Sequence, residues 1–401
     1  MIPKEAVRAG DSGHTFVTVR KCTASQIEQH LQSLGDSSFI VWGRIRKLSK
    51  SSPTVAVGEI TEVPLKSERR PGATKWRWII GMAISALFLW VAFRQVESFG
   101  QITDELGAAR YWWMIPAVLL YLAGLAVRAA RWKTLMLPIA VVPYGSIFGI
   151  LSIGFLVNNI LPARLGEIAR AFLIGRQHGI SRSGALATIV VERIFDGIVM
   201  LLFLGVATAS AGSRIAAESS WFGYLVPVTA AAFGGAAIVL ALLALAPSFA
   251  LGLAARLLAP FPKAARESAL QIAAKFISGL GVLQDLKLAG SVLLTSIVAW
   301  LLEAGTYLAV GQAFGLMGDP VAYLMSLSVA NLGTMIPSSP GYVGTFEALI
   351  THSLKIFDVP DAKALAYAIV LHLSIWLPPT LIGFFYLWRY NLSLSRLTQE
   401  Q

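Results

Sequence analysis

The sequence predicts an all-α integral membrane protein with about six full transmembrane helices and two broken-helix hairpins of opposite orientation. Of its 401 residues, 56% are hydrophobic and only 14% are charged, and the mean hydropathy is +0.66. Several apolar segments reach the 18 or more residues that a membrane-spanning helix needs. Two further apolar segments are each interrupted by a polar, proline-containing motif, and the two motifs resemble one another.

The composition argues against several other classes of protein. The net charge of +11 is ascribed to cytoplasmic Lys and Arg of a membrane protein, so we expect no nucleic-acid partner. A single cysteine, Cys22, and five scattered histidines give no disulfide framework and no metal-ligand spacing. Phosphate-loop, serine-elbow and His-Glu-x-x-His motifs are absent from the sequence. We therefore expect no cofactor, no metal and no enzymatic activity.

The chain is expected to divide into a soluble N-terminal region, a membrane domain and a short tail. Residues 1–75 are polar and mixed in charge, and they predict a cytoplasmic tail or a small βαβ-like segment followed by a linker. The run Phe16-Val17-Thr18-Val19 is a candidate strand in this region. Residues 76–390 form the predicted polytopic domain, and residues 391–401 form a cytoplasmic tail.

The full transmembrane helices are assigned to the long, predominantly apolar segments. Six are assigned: 76–93, 112–127, 186–210, 221–246, 288–314 and 364–388. Residues 248–287 instead alternate apolar and basic positions and are punctuated by Pro247, just before them, and by Pro260 and Pro262, a pattern typical of amphipathic helices that lie at the membrane surface.

The distribution of basic residues predicts the orientation. With the N-terminus inside and both motif regions folded as hairpins, 27 of the 33 Lys and Arg residues lie on the cytoplasmic side and five on the outer side. The prediction is a multi-pass protein of the plasma (inner) membrane with both termini in the cytoplasm.

The two polar motifs are the predicted centre of the molecule. The first runs from Asn158 to Glu167 and the second from Asn331 to Glu347. Basic groups flank the first apolar segment on both sides, so it is expected to enter from the cytoplasm, break and return. Three spans later the second would enter from the opposite face, and such inverted repeats place a transport site near the membrane midplane. The alternative is that prolines simply end two ordinary spans.

Each motif contains side chains suited to a lipid headgroup. In the first, Arg164 and Arg170 can bind phosphate at a helix N-terminus, where peptide dipoles favour anions, or can instead reach lipid phosphates at the interface. Glu167 would repel a phosphate unless it pairs with one of these arginines. In the second, Ser339-Pro340 is expected to begin the returning helix. The predicted substrate-binding residues are Asn159, Arg164, Glu167, Arg170, Asn331, Ser338, Ser339 and Glu347.

Ionisable residues also lie inside the predicted spans. Glu192 and Asp196 are four residues apart and share a helix face, and Arg193 can pair with Asp196. Because such groups are costly in a membrane, they predict either a proton or substrate relay or a structural ion pair. Glu303, in the span 288–314, is a further candidate member of the relay.

Four motifs together resemble the flippase-like family that includes the transmembrane region of lysylphosphatidylglycerol synthase. They are Arg128-x-x-Arg131-Trp132, Asn159-x-x-Pro162-x-Arg164-x-Gly166-Glu167-x-x-Arg170-Ala171, Glu192-Arg193-x-x-Asp196 and Pro337-x-x-Pro340-Gly341-x-x-Gly344-x-x-Glu347. The resemblance covers about residues 76–390 and implies a lipid-flipping membrane domain, in some relatives fused to a synthase or glycosyltransferase domain. Arg128 and Arg131 are expected to act at a headgroup or at the interface.

Two functional hypotheses follow. The first is transbilayer movement of an anionic phospholipid, a polyprenyl-phosphate-linked lipid or a related lipid through a midplane site built from the two broken helices. The alternative is a non-catalytic membrane subunit that presents lipid to a separate lipid-modifying or glycosyl transferase. Membrane lipids are partners in both hypotheses, and a separate enzyme is a partner in the second.

Overall fold

The computed structural model describes residues 7–9, 15–17, 99–161, 164–218, 222–316, 319–334 and 340–392. Two compact units divide the chain, Met1–Arg70 and Pro71–Gln401. In the first unit, the strands β1 (Val7–Ala9) and β2 (Thr15–Val17) pair antiparallel. The predicted strand at 16–19 overlaps β2. The predicted first span, 76–93, lies outside the described residues.

The second unit is helical throughout its described part. Its helices are α1 (Phe99–Ala108), α2 (Met114–Met136), α3 (Tyr144–Ile160), α4 (Leu165–His178), α5 (Arg182–Glu218), α6 (Phe222–Leu245), α7 (Pro247–Leu257), α8 (Lys263–Gly279), α9 (Leu286–Ala313), α10 (Pro320–Gly333), α11 (Thr345–Lys355) and α12 (Asp361–Arg389). Short 3-10 turns lie at Tyr111–Trp113, Gly281–Gln284 and Pro340–Tyr342.

Among the described residues, three helical segments are long and apolar enough to cross a membrane. They are Tyr111–Met136, Leu286–Ala313 and Asp361–Arg389, which coincide with three of the predicted spans. A fourth is present if the pair Ala231–Leu245 and Pro247–Leu257, bent by 102°, is counted as one span. The bend falls where Pro247 begins a new helix, because proline has no backbone N–H to continue the previous one.

The longest helix, α5, has 37 residues and extends beyond the predicted span 186–210 at both ends. The stretch 248–287, predicted to be amphipathic, contains the two helices α7 and α8. Gly279 at the end of α8 approaches Gly184 on α5 so closely that an added Cβ would overlap the backbone there. The close approach of two glycines therefore joins α8 to the start of α5.

The helices α3 and α4 form a first hairpin, with a first break between the end of α3 at Ile160 and the start of α4 at Leu165. The helices α10 and α11 form a second hairpin, with a second break between the end of α10 at Gly333 and the start of α11 at Thr345. Both pack against α12. The start of the first hairpin lies near the end of α12, where Gly149 contacts Tyr386. The start of the second lies near the beginning of α12, where the rings of Tyr323 and Tyr367 are 6.3 Å apart.

The two breaks meet near the middle of α12. In the first hairpin, Asn159 donates hydrogen bonds to the carbonyl of Trp376 and to Thr380 Oγ1, at 3.2 and 2.7 Å. In the second, an added Cβ on Gly341 would lie within 2.8 Å of Trp376 Nε1 and 3.2 Å of the Asn159 carbonyl. The two hairpins therefore approach the same point from opposite ends of one long helix.

Candidate functional site

The break in the first hairpin is held by close backbone packing. Arg164 adopts a left-handed conformation with φ 52° and is the N-cap of α4. The Gly166 N–H donates to Asn158 Oδ1 at 2.7 Å, which satisfies one of the free donors at this helix start. A Cβ on Gly166 would overlap the carbonyl of Gly154 on α3, so the tight hairpin requires glycine at this position.

The break in the second hairpin is longer. A 3-10 turn begins at Pro340, but the expected start of the returning α-helix there is wrong, because α11 begins at Thr345 with Gly344 as its N-cap. Between them Gly341, Tyr342 and Gly344 have positive φ angles, which interrupt a right-handed helix. The predicted binding residues Ser338 and Ser339 themselves lie outside the described residues.

Arg164 connects the two breaks. Its Nε donates to the hydroxyl of Tyr342 at 2.9 Å and its Nη2 donates to the carbonyl of Thr334 at 3.2 Å. The guanidinium carbon also lies 5.5 Å from the centre of the Tyr342 ring. A residue of the first motif is therefore bound to both ends of the second break, across 170 to 178 residues of sequence.

A cavity of about 150 Å³ lies where the breaks meet. Seven of the residues singled out in the sequence line it: Arg128, Asn159, Arg164, Glu167, Arg193, Glu303 and Asn331. Its lining combines apolar and aromatic groups with a few charged ones, which is the usual character of a small-molecule site. The structure therefore brings the two motifs and part of the intramembrane charge cluster to one place.

A network of ion pairs lies beside the cavity on α5. The Glu192 carboxylate forms ion pairs with Arg170 Nη2 at 2.7 Å, with Arg131 Nη2 at 3.3 Å, and with Arg193. The Asp196 carboxylate forms ion pairs with Arg131 Nη1 at 2.5 Å and with Arg193 Nη2 at 3.1 Å. The acidic pair predicted from its helical spacing is thus real, but most of its cationic partners come from other helices.

The burial of this network corrects the expected role of two arginines. Arg131, expected at a headgroup or the interface, has no exposed surface, and Arg170, expected to bind substrate, is only 4% exposed. The ring of Trp132 covers Arg170, with the guanidinium carbon 4.1 Å from its centre. Both arginines are held inside because the α5 carboxylates are their partners, and removing either partner from a buried pair is costly.

Two further buried pairs complete the charge arrangement. Arg128, also expected at the interface, pairs with Glu303 at 2.5 Å and lies over the ring of Trp300. In the second hairpin, Glu347 Oε2 accepts the Gly344 N–H at 2.6 Å and Oε1 lies 2.6 Å from His372 Nδ1. Glu347 is therefore occupied by the start of its own helix and by α12.

Glu167 differs from every other carboxylate at the site. Its Oε2 is buried and has no hydrogen-bond partner in the described part of the chain. The expected pairing with Arg164 or Arg170 is absent, because Arg164 bonds to the second break and Arg170 to Glu192. Glu167 also lines the cavity, so it places a carboxylate that lacks one hydrogen bond in the wall that a ligand would meet.

Sequence reasoning did not identify the aromatic and imidazole groups of the cavity. Tyr121, Trp300, Tyr342, His372 and Trp376 all line it. Tyr342 carried a local signal, since it lies within the second motif beside Gly341. The others lie in ordinary apolar segments, where only helix packing shows that they face the cavity. No group of three or more His, Cys, Asp or Glu side chains within the described ranges is placed to hold a metal ion.

Comparison with known proteins adds a family and two relatives. A family model described as the lysylphosphatidylglycerol synthase TM region matches residues 78–383. The chain is similar to the glycosyltransferase AglD of Haloferax volcanii, with 26% identity over 330 residues that cover 76% of this chain and 53% of AglD. It is also similar to a UPF0104 membrane protein of Methanothermobacter thermautotrophicus, with 30% identity over 112 residues that cover 27% of this chain and 33% of that protein.

The chain therefore spans about half the length of the first of these relatives and a third of the second. No solved structure matches the chain.

Proposed function

The chain belongs to the family of lysylphosphatidylglycerol synthase transmembrane regions. From this premise we propose that it moves a lipid with a phosphate-bearing headgroup across the plasma membrane. The observation that carries the proposal is the cavity at which both broken helices meet. Broken helices whose half-helix ends point into a central site are the usual construction of transporter substrate sites.

Arg164 is the proposed phosphate ligand. Of the three arginines that line the cavity, Arg128 pairs with Glu303 and Arg193 pairs with Glu192 and Asp196. Arg164 has no carboxylate partner among the described residues, and its two hydrogen bonds go to neutral oxygens. Its planar fork suits a phosphate ester, and its place at the N-terminus of α4 adds the favourable helix dipole.

The proposed topology follows from the contacts of α12. If α12 crosses the membrane, the first hairpin lies along its C-terminal half and the second along its N-terminal half. The hairpins would then be re-entrant from opposite faces, with six full spans around them and both termini in the cytoplasm. Such an arrangement can expose one central site to each leaflet in turn by small movements of either hairpin.

The topology can be tested by single-cysteine labelling with Cys22 removed. Gly145 and Pro320 are exposed positions at the starts of the two hairpins, and no other group crowds Gly145. We expect a membrane-impermeant maleimide to label Gly145→Cys from the cytoplasmic side and Pro320→Cys from the outer side. Labelling of both from the same side would exclude opposite re-entrant hairpins.

The transport activity can be tested with the pure protein in liposomes. A phospholipid with a fluorophore on its acyl chain is quenched from outside, so that movement between leaflets is read as loss of the protected fraction. We expect Arg164→Ala to abolish the protein-dependent movement, while Arg256→Ala, an exposed arginine on α7, leaves it unchanged. Glu192→Gln should also abolish movement, since it weakens the network that holds Arg193 beside the cavity.

One comparison favours a second candidate. The relative AglD is named a glycosyltransferase and is about twice as long as the matched region. The alternative is therefore a membrane subunit that presents lipid to a separate transferase. In that case the pure protein would bind lipid in the cavity without moving it, and the Arg164→Ala variant would lose binding rather than movement.

A further inference from the structure

The two hairpins place a glutamate at the same position, the third residue of the returning helix. In the second hairpin Gly344 is the N-cap and Glu347 follows three residues later. In the first Arg164 is the N-cap and Glu167 follows three residues later. A glutamate at this position usually accepts a hydrogen bond from the backbone at the start of its own helix.

Only one of these glutamates is used in that way. Both carboxylate oxygens of Glu347 are occupied, one by the Gly344 N–H and the other by His372. In the first hairpin the equivalent donor is the N–H of the N-cap Arg164, and it makes no hydrogen bond to Glu167 Oε2. Asn158 caps a different donor, the Gly166 N–H, and Glu167 keeps a buried oxygen that receives no hydrogen bond from the described residues.

Glu167 and Arg164 lie at the same end of α4 and both line the cavity. They do not pair with each other, because Arg164 reaches across to Tyr342 and Thr334. The wall of the cavity therefore presents a cation and an anion, and among the described residues neither forms an ion pair at contact distance, although Arg193 lies in the same wall. A ligand that is only a phosphate would satisfy the first and be repelled by the second.

We propose that the site selects a headgroup that carries a hydrogen-bond donor, an ammonium or a hydroxyl, close to its phosphate. The phosphate binds Arg164, and the donor binds the Glu167 carboxylate. This inference rests on the proposed function for the lipid to which the headgroup belongs, but the same chemistry describes a free phosphate ester with an amino or hydroxyl group.

The experiment compares pairs of lipids that have the same charge, of which only one member carries the donor. Phosphatidylethanolamine and phosphatidylcholine have the same phosphate and net charge, but choline has no N–H. Phosphatidylglycerol and phosphatidylmethanol have the same negative charge, but the second has no hydroxyl. All four carry the same fluorescent acyl chain and are measured in liposomes that contain the full-length protein.

We expect the wild-type protein to move the donor-bearing member of each pair roughly tenfold to a hundredfold faster, the range that one hydrogen bond to a charged group supports. Glu167→Ala should move both members of a pair at equal rates. Glu267→Ala, an exposed glutamate on α8, should keep the wild-type preference. Equal rates in the wild type, or a preference that survives in a folded Glu167→Ala variant, would overturn the proposal.

A measurement of lipid binding distinguishes the failure of this proposal from the failure of the proposed function. If the wild type moves none of the four lipids, transport is refuted, and native mass spectrometry then measures which lipids the protein retains. Retention of phosphatidylethanolamine over phosphatidylcholine by the wild type but not by Glu167→Ala would still support the subsite, and equal retention would overturn it. If soluble phosphoethanolamine binds as tightly as the lipid, the donor subsite is supported and the lipid assignment is refuted.

Discussion

The first and second hairpins of this protein have similar sequences and the same helix–break–helix form, but their charged groups are used differently. In the first, Arg170 is bound by Glu192 of α5, while Arg164 and Glu167 are left facing the cavity. In the second, the Glu347 carboxylate accepts the Gly344 N–H at the start of its own helix and contacts His372 of α12. Under our proposal the first hairpin supplies the charges for a ligand, while the hydrogen bonds of Glu347 stabilise the second.

The largest expected effect of a substitution is on the attachment of the first hairpin. Glu192→Ala leaves Arg131 and Arg170 buried without this carboxylate, and breaking a buried ion pair in this way costs about 3–5 kcal/mol. We expect a clear drop in the thermal unfolding midpoint of the purified protein in detergent.

The matched control is Glu105→Ala, which removes a partly exposed pair with Lys363 whose side chains are each about 30% exposed. Such pairs contribute about 0–1 kcal/mol. If the two variants unfold at the same temperature, the network on α5 does not anchor the first hairpin.

The next largest loss of stability is expected from substitutions of glycines at the two breaks. Gly166→Ala forces a Cβ into the carbonyl of Gly154, and overpacking of this kind costs about 1–3 kcal/mol. Gly344→Ala places a side chain at φ 89°, a conformation that also costs about 1–3 kcal/mol. Both should lower the unfolding midpoint.

Gly290→Ala in α9 provides the control for these two variants, since a Cβ there meets open space. Replacing a glycine within a helix by alanine stabilises by about 0.5–1 kcal/mol. A Gly166→Ala variant as stable as Gly290→Ala would show that the two arms of the first hairpin are not in close contact.

The last comparison sets the two equivalent glutamates side by side, and Glu167→Gln is expected to have the smallest effect on stability. Glu347→Gln weakens hydrogen bonds from the Gly344 N–H and from His372 to a charged group, each worth about 1.5–3 kcal/mol. Glu167→Gln removes a charge that has no hydrogen bond on Oε2, so we expect its stability to change by less than about 0.5 kcal/mol.

Equilibrium unfolding of both variants gives the comparison. A destabilisation of Glu167→Gln equal to that of Glu347→Gln would mean that Glu167 has a structural partner, and it would remove the contrast between the hairpins.

Much of the site could be predicted because its signals are local. Proline and glycine interrupt the two apolar segments, and the four-residue spacing of Glu192 and Asp196 places both on one face of a helix. The start of the second returning helix could not be predicted correctly, because the positive φ of Tyr342 is not apparent from its residue type. The burial of Arg131 was also missed, since its partners lie 61 to 165 residues further along the chain.

The sequence by itself determined that this chain is a helical membrane protein, where its two apolar segments break, and which charges lie within apolar helices. Each of these depends on hydrophobic length or local turn chemistry, which neighbouring residues specify. Only the tertiary structure decided that Arg164 spans both breaks, that Arg128 pairs with Glu303, and that Glu167 Oε2 receives no hydrogen bond from the described residues. Those outcomes depend on which helix faces pack together, and a buried charge finds its partner only when that packing is complete.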